Sequence, residues 1–381
     1  MIKMKNVLYI VSTLQVSGPT NIIYNIIKEI DRSKFTPIIL CLSSEGVGNI
    51  SAYNEFQILN IEIHSLCLSR IQGFFLARSK IIEFCKNMNI DVIHLIGFRA
   101  DILVQGNKFS KYLQISSVFS NFFDDYTLTN GYLVGRIMAH LHLFSIKSKI
   151  MVSCSEYVQA ELEKWVNNDF IIIKNSVSPD KFSIPSKEKR MANRKLLGID
   201  ASQFVFIFVG VLIKRKDPLT TIKAFIESNA CKNGTATLIV LGDGPLRNIC
   251  ENVCIDQKSV FFTGFTAETL TYLQASDYYI SSSLSEGLPT SVVEALSCGL
   301  VPILTKIPPH VEITKYFDKW NYLFEIRDNK KLTELIDKVI CEDSARLSLK
   351  SRTIVETELN SKIMSDQYQS LYSLNKNKSN E

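Results

Sequence analysis

Hydrophobic residues in this chain come in short unbroken runs rather than in strict alternation. NVLYIVST, TPIILCLSS, IEIHSL, DVIHLIG, LQISSVFS and KIMVSCS are rich in β-branched and other apolar residues, and amphipathic stretches of helical period separate most of them. Strands that are apolar on both faces, each followed by a helix, belong to parallel sheets covered on both sides. The same grammar restarts after the polar, basic, proline-bearing stretch NSVSPDKFSIPSKEKRMANRKLLGID, with FVFIFVGVL, ATLIVLGDG, VFFTGF, YYISSS and VPILT. The pattern predicts an α/β chain of two Rossmann-like doubly wound domains facing across a cleft. The expected boundaries are 1–180 and 181–358. Residues 359–381 are expected to add a C-terminal helix that packs back on the first domain and ends in a disordered tail, NKNKSNE. Ligands of such sheets bind beyond the C-terminal ends of the strands, so the chemistry is to be sought in the post-strand loops.

Length and composition narrow the picture. A chain of 381 residues exceeds what one hydrophobic core usually supports. A formal charge of +5 suits an anionic small ligand or an anionic membrane surface, and no arginine-rich or basic-aromatic run points to nucleic acid. The nine cysteines are scattered, many in apolar runs such as those of Cys41 and Cys154, which fits reduced, buried thiols of a cytoplasmic protein. Cys250 and Cys254 in CENVC share a helical face but have no histidine or second cysteine pair to complete a metal site. The N-terminal apolar run is short and β-branched and reads as a first strand rather than a leader peptide. No apolar stretch approaches the length of a membrane span.

Four loops of the second half could carry chemistry. In FVGVLIKRKDPLTTIKAF, Arg215 and Lys216 follow a strand, and a planar fork beside a compact charge suits a diphosphate. Gly242 in VLGDGPL allows a tight turn. Gly264 and Phe265 in FTGF could admit and flank a nucleotide base. In SLSEGLPTSVVEALSCGL, Pro289 and Gly299 bracket a helix predicted over about Thr290 to Cys298. Its N-terminus, with Gly287, Leu288 and Thr290, offers backbone N–H groups and a positive dipole end to phosphate. Glu286 lies just outside that terminus and Glu294 about one turn inside, placed to accept hydrogen bonds from hydroxyl-rich groups on either side of a phosphate. The plainer alternatives are a solvated basic turn, ordinary strand–turn–helix junctions, and glutamates that merely favour a helix start. In the first half, STLQVSGPTNIIYNII repeats the device: Gly18 lets a backbone approach closely and Pro19 opens a helix carrying Thr20 and Asn21. Two such helix ends from opposite domains, with Arg215 and Lys216, would clamp one diphosphate.

At this point SEGLPTSVVEALSCGLVPI resembles the E-x7-E signature of retaining glycosyltransferases of family four, which have the two-Rossmann GT-B fold. SGPTNIIYNI, DVIHLIGFRADIL, VSCSEYV, IIIKNSVSPDKF, VGVLIKRKDP, LGDGPL, TGF and PPHVEI are similar to that family in the same order. The resemblance implies transfer of a sugar, with retention, from a nucleotide-diphosphate sugar (a UDP-sugar in preference to a GDP-sugar) to a glycan acceptor. It implies that Glu294 holds the ribose hydroxyls, Glu286 the donor sugar's hydroxyls, Arg215 and Lys216 the diphosphate, and that Gly18 meets the phosphates. Neither a metal nor a cofactor is expected, since cations and helix ends neutralise the leaving group. Asp124 and Asp125 in FFDDYT do not form a D-x-D triplet. The arginine that often follows the glycine of the VGVL motif is Val211 here, so the second phosphate charge falls to Arg215. Ser120, followed by Asn121, stands where many relatives place a histidine against the donor sugar. His94 is then the remaining histidine candidate of the first domain, although a histidine in an apolar strand is more often a core residue. His310 is equally open to a structural or a catalytic role, while His140 and His142 lie on different helix faces.

A retaining reaction without an evident nucleophile implies same-face displacement, in which the leaving phosphate oxygen takes the acceptor's proton. IQGFFLARSKIIEFCKNM and NGYLVGRIMAHLHLFSIKSK mix aromatic, aliphatic and basic residues. They read either as a peripheral face on anionic lipid at the cytoplasmic side of the membrane or as core-facing helices with basic outer faces. With lipid contact, a lipid-linked oligosaccharide of O-antigen, capsule or exopolysaccharide synthesis becomes the expected acceptor. The alternatives are a nucleotide-sugar 2-epimerase of the same fold and a non-catalytic nucleotide-sugar-binding partner. The spacing after the first strand lacks the G-x-G-x-x-G of NAD-dependent enzymes.

Overall fold

The computed structural model describes residues 4–44, 50–68, 70–317 and 319–375. The chain divides into two units, residues 1–175 with 361–381, and residues 176–360.

In the first unit, β1 (Lys5–Val11), β2 (Phe35–Cys41), β3 (Glu62–Ser65), β4 (Val92–Ile96), β5 (Leu113–Val118), β6 (Ile150–Ser153) and β7 (Phe170–Ile172) form one parallel sheet in the order β3-β2-β1-β4-β5-β6-β7. The unbroken apolar run of β1 has a direct cause. Val7, Tyr9 and Val11 pack with the helix Gly18–Lys28, while Leu8 and Ile10 join Ile81, Cys85, Ala100 and Val104 in a separate core. A strand buried on both faces has no solvent side on which to place polar residues.

The chain returns to this unit in the helix Ser361–Ser373, whose Met364, Tyr368 and Tyr372 enter the same core as Val7 and Tyr9. Ser365 Oγ donates to the Ile26 carbonyl at 2.8 Å, and Lys5 Nζ donates to the carbonyls of Tyr372, Ser373 and Leu374 at the helix end, where a cation also suits the helix dipole. His94 in β4 belongs to this interior. It is fully buried, with Nδ1 2.8 Å from the Tyr372 hydroxyl and Nε2 2.7 Å from Ser117 Oγ. Burial pushes its pKa down to about 3, so the ring is neutral. Both ring nitrogens are occupied and no edge of the ring reaches the surface, as in the core-residue alternative read from the sequence.

In the second unit, β8 (Phe204–Val209), β9 (Ala236–Leu241), β10 (Val260–Gly264), β11 (Tyr278–Ser281), β12 (Val301–Thr305) and β13 (Leu323–Phe324) form a second parallel sheet, β10-β9-β8-β11-β12-β13. Strand order reverses between β1 and β4 in one sheet and between β8 and β11 in the other, and such switch points are where open α/β sheets bind ligands.

Several elements differ from the sequence reading. β7 and β13, three and two residues long, are too short to show a period. The polar, basic stretch after which the strand grammar restarts contains the helix Lys187–Leu196, tied down by Arg190 Nη1 and Arg194 Nη2 on Asp277 at 2.7 and 2.6 Å, and the chain enters the second unit after Asn175. Cys250 and Cys254 are buried in the second unit's core, where burial pushes both thiols up to about 11. All nine cysteines are unbridged, with Cys67 and Cys341 exposed. Among the described residues no helix is long and apolar enough to cross a membrane. The tail expected to be disordered lies, from residue 376 onward, outside the described residues.

Candidate active site

The site grows from the loops that follow β8 and β11, the two strands that flank the second switch point. After β8 the chain turns through Gly210 to Lys216, and Asp217 takes a left-handed conformation (φ 45°) before Pro218 opens the helix Pro218–Glu227. After β11 it runs through Ser281–Pro289 into the helix Thr290–Ser297, within a residue of the sequence prediction. The loops are laced together: Leu284 N donates to the Arg215 carbonyl at 2.8 Å, and Arg215 Nη1 donates to the Ser285 carbonyl at 2.9 Å.

Glu286 is the centre of this junction. One carboxylate oxygen accepts from Arg215 Nη1 at 3.0 Å; the other accepts from Lys216 Nζ and from Ser283 Oγ, the latter at 2.7 Å. Burial alone would push the Glu286 pKa up, but Lys216 and Arg215 overcome that and hold it at about 2. The residue is a carboxylate at any working pH. Behind it, Thr305 Oγ1 donates to the Ser283 carbonyl at 2.7 Å, and His310 is fully buried with Nδ1 2.9 Å from the Thr305 carbonyl and Nε2 3.4 Å from Ser281 Oγ. His310 thus supports the loop that carries Glu286. Ser281 and Ser283 were not singled out in the sequence, although three consecutive serines at the end of a buried strand were a visible signal.

No side chain caps the helix Thr290–Ser297 and its first turn holds no acidic residue, which leaves first-turn amides and the positive dipole end for an anion. Glu294 in its second turn is buried. Its carboxylate has no hydrogen-bond partner among the described residues and feels the positive charge of Lys181. Burial pushes its pKa up to about 7. Tyr279, whose hydroxyl is 2.8 Å from Ser291 Oγ, feels the charges of both Glu286 and Glu294, which places the two carboxylates in one neighbourhood.

Gly242 and Gly264 pair in an isolated bridge at the ends of β9 and β10. Gly242 sits at φ 141°, where a Cβ would lie 2.0 Å from the Gly210 carbonyl oxygen, so only glycine fits between the two loops. Phe265, next in line, is 48% exposed and presents a ring that a base could stack on. Gly287 and Leu288, which follow Glu286, are buried, and Thr290 is half-buried.

The first-unit candidates are arranged differently. Gly18 opens the helix Gly18–Lys28 as expected, but Ser17 caps it, accepting from Thr20 N at 3.3 Å. Thr20 is buried and its hydroxyl donates to the Gln15 carbonyl at 2.7 Å. Its hydroxyl proton thus holds the loop before the helix. Ser120 Oγ is 3.3 Å from Asp125 Oδ2, and Asn121 caps the helix Phe122–Asn130 by accepting from Phe123 N at 3.1 Å while its amide donates to Asp124. Among the described residues no group of three metal-capable side chains forms.

A network that the sequence did not reveal lies deeper in this unit. Asp101 is buried and accepts from Ser116 Oγ (2.9 Å), His142 Nε2 (3.0 Å) and Lys149 Nζ (2.9 Å), and His142 Nδ1 meets the Tyr126 hydroxyl at 2.7 Å. Burial opposes ionisation of Asp101, but Lys149 and His142 prevail and hold its pKa below the usual range. These partners come from four separate stretches of sequence, so no local motif announces them.

Paired parallel α/β units of this kind are the fold of GT-B glycosyltransferases: a structure of Anabaena HepE in complex with UDP-glucose superposes with a TM-score of 0.81 at 14% identity, over 97% of this chain and all of that one. Residues 189–354, nearly the whole second unit, match the family model described as Glycosyl transferases group 1. The chain is 31% identical over 200 residues to an Escherichia coli UDP-Gal:alpha-D-GlcNAc-diphosphoundecaprenol alpha-1,3-galactosyltransferase, covering 49% of this chain and 50% of the relative. It spans about half the length of the first curated relatives it matches. A second E. coli relative, the O-antigen biosynthesis glycosyltransferase WclY, is 23% identical over 96% of this chain and 97% of its own length.

Proposed function

We propose that this protein is a retaining glycosyltransferase that moves a sugar from a nucleotide-diphosphate sugar, a UDP-sugar in preference to a GDP-sugar, to a lipid-linked glycan in surface-polysaccharide synthesis. The observation that carries the reading is the constellation of buried Glu286 with partly buried Arg215 and Lys216 at the β8/β11 switch point, beside an uncapped helix N-terminus and the buried Glu294, whose carboxylate has no hydrogen-bond partner among the described residues. Two cations and a helix end suit a diphosphate, and Glu294 lies within the same helix for the ribose hydroxyls. The names of relatives supply the donor and acceptor classes: UDP-Gal and a diphosphoundecaprenol-linked sugar for the galactosyltransferase, UDP-glucose for the HepE complex.

In this reading Arg215 and Lys216 reach the diphosphate while staying beside Glu286, which they keep ionised, and Glu286 accepts hydrogen bonds from the sugar hydroxyls. The bond from the anomeric carbon to the phosphate oxygen breaks while the acceptor oxygen bonds to the same face. The departing phosphate oxygen takes the acceptor hydroxyl's proton, its negative charge held by Arg215, Lys216 and the helix end. No protein base is assigned. A lipid-linked acceptor is held at a bilayer surface, so peripheral contact with the cytoplasmic face of an anionic membrane is part of the reading.

The experiment is transfer by Glu286→Ala and Lys216→Ala variants, with folding checked by circular dichroism. Each is expected to lose at least about a hundredfold in rate, the scale of removing one preorganised charge-stabilising group. Full activity in both would sink the site assignment. Conversion of the donor to an epimer without acceptor would favour the epimerase alternative, and nucleotide-sugar binding without turnover the non-catalytic one.

A further inference from the structure

The helix Tyr132–Ile146 turns an apolar face to solvent. Gly135, Ala139, His142, Leu143 and Ile146 are buried on one side, where His142 is pinned by Asp101 and Tyr126. Leu133, Ile137, Leu141 and Phe144, spaced four, four and three residues apart, fall on the opposite side at helical period. They are 76%, 62%, 49% and 68% exposed. The sequence reading allowed a core-facing helix with a basic outer face; the outer face is instead the large aliphatic and aromatic one.

The neighbourhood extends this face. Leu128, Tyr132 and Val134 are also exposed, around the turn at Gly131 that joins the helix Phe122–Asn130 to this one. A Cβ on Gly135 would lie 2.5 Å from the Thr127 backbone, so the two helices of the hairpin touch and the tip is one body. A continuous exposed apolar stripe marks an interaction site.

Charge selects the partner. No acidic residue occurs between Asp125 and Glu156. Arg136 and the exposed Lys147 fall on one edge of the stripe at helical period. Arg136 lies over the rings of Phe123 and Trp165 at 4.9 and 5.0 Å. Lys147 lines a polar depression with Asn107, Ser110 and Tyr112, and Lys111 sits 4.9 Å above the Tyr112 ring. An apolar stripe edged by Arg136 and Lys147, on a helix that itself carries no acidic residue, complements an anionic lipid surface, whereas a second copy would set cation against cation.

We infer that the outer face of this helix docks the protein on an anionic bilayer, with Leu133, Ile137, Leu141 and Phe144 inserted among the acyl chains and Arg136 and Lys147 at the level of the lipid phosphates. The inference names the partner surface of the proposed transferase and rests on that reading for its purpose, but it is measured without any sugar nucleotide. The full chain is sedimented with vesicles of phosphatidylcholine alone or of equal parts phosphatidylcholine and phosphatidylglycerol. The wild type is expected to bind the anionic vesicles roughly tenfold or more better than the neutral ones. The double variant I137E/L141E, and separately Phe144→Ser, should each lose most of that binding with an unchanged circular dichroism spectrum. A wild type that stays in the supernatant, variants that sediment as well as wild type, or a wild-type dimer that the double variant converts to monomer would each overturn it. The thermal shift induced by UDP on the same proteins without lipid tests the transferase reading alone, so either reading can fail without the other.

Discussion

Glu294→Gln should make the ligand-free protein more stable and its nucleotide binding weaker. In the folded chain the Glu294 carboxyl is pushed up to about 7 from an ordinary 4.5. A raised folded value means that its contribution is fully present below pH 4.5, where both folded and unfolded forms are protonated, and is lost as pH rises through 7. The shift corresponds to about 3 kcal/mol of burial penalty in the ionised state. Glutamine has nearly the shape of the protonated acid and never ionises. The stability of the variant relative to wild type should therefore grow by about 3 kcal/mol between pH 4.5 and pH 8, or roughly 6–12 °C in the midpoint of a unit of this size. Other titrating groups cancel in the difference between the two proteins. Binding should move the other way, since a neutral amide is a poorer acceptor for two ribose hydroxyls than a carboxylate. Loss of a charge-assisted hydrogen bond, about 1.5–3 kcal/mol, weakens UDP roughly 10- to 100-fold. Thermal unfolding from pH 4.5 to 8, with UDP titrated calorimetrically at pH 8, measures both. An offset that does not change with pH, or an unchanged UDP affinity, would refute the reasoning.

Three further outcomes follow from single contacts. Gly242→Ala forces a Cβ into the Gly210 carbonyl and should cost about 3 kcal/mol or more, read as a lower urea midpoint at unchanged slope. Phe265→Ala removes a half-exposed ring, so stability should hold while UDP affinity falls by about 0.5–1.5 kcal/mol, the scale of one aromatic stack; an equal loss for sugar phosphates lacking a base would contradict stacking. Asp101→Ala leaves Lys149, whose side chain is wholly buried, without its counter-charge and should cost about 3–5 kcal/mol in urea unfolding. The double variant Asp101→Ala/Lys149→Met should recover most of that loss.

Most of the architecture was legible because doubly wound sheets write it locally. β1 and β8 are apolar on both faces, and Pro289 and Gly299 punctuate the helix that carries Glu294. The cations of KRK and the carboxylate of SEG were visible as residue types, but their mutual contact was not. It depends on β8 and β11 lying side by side although some seventy residues separate Arg215 from Glu286. The capping by Ser17 and the internal bond of Thr20 escaped notice for the opposite reason. A Ser-Gly-Pro-Thr turn offers the same donors to a ligand or to itself, and only geometry decides. His94 sat in an apolar strand whose partners, Tyr368 and Tyr372, come from the far end of the chain. The outer face of Tyr132–Ile146 was ambiguous because its sequence is apolar nearly all round, and burial alone separates the inner stripe from the outer.

The central claim is transfer from a nucleotide-diphosphate sugar, and the most direct test is product formation. The purified chain is incubated with a panel of UDP- and GDP-sugars and a polyprenyl-diphosphate-linked acceptor, and the products are followed by mass spectrometry beside a Glu286→Gln control. The account predicts an acceptor heavier by one sugar residue, joined with the donor's anomeric configuration, with stoichiometric release of nucleoside diphosphate and none of this in the control. Donor recovered unchanged across the panel, or an equal yield from Glu286→Gln, would contradict it.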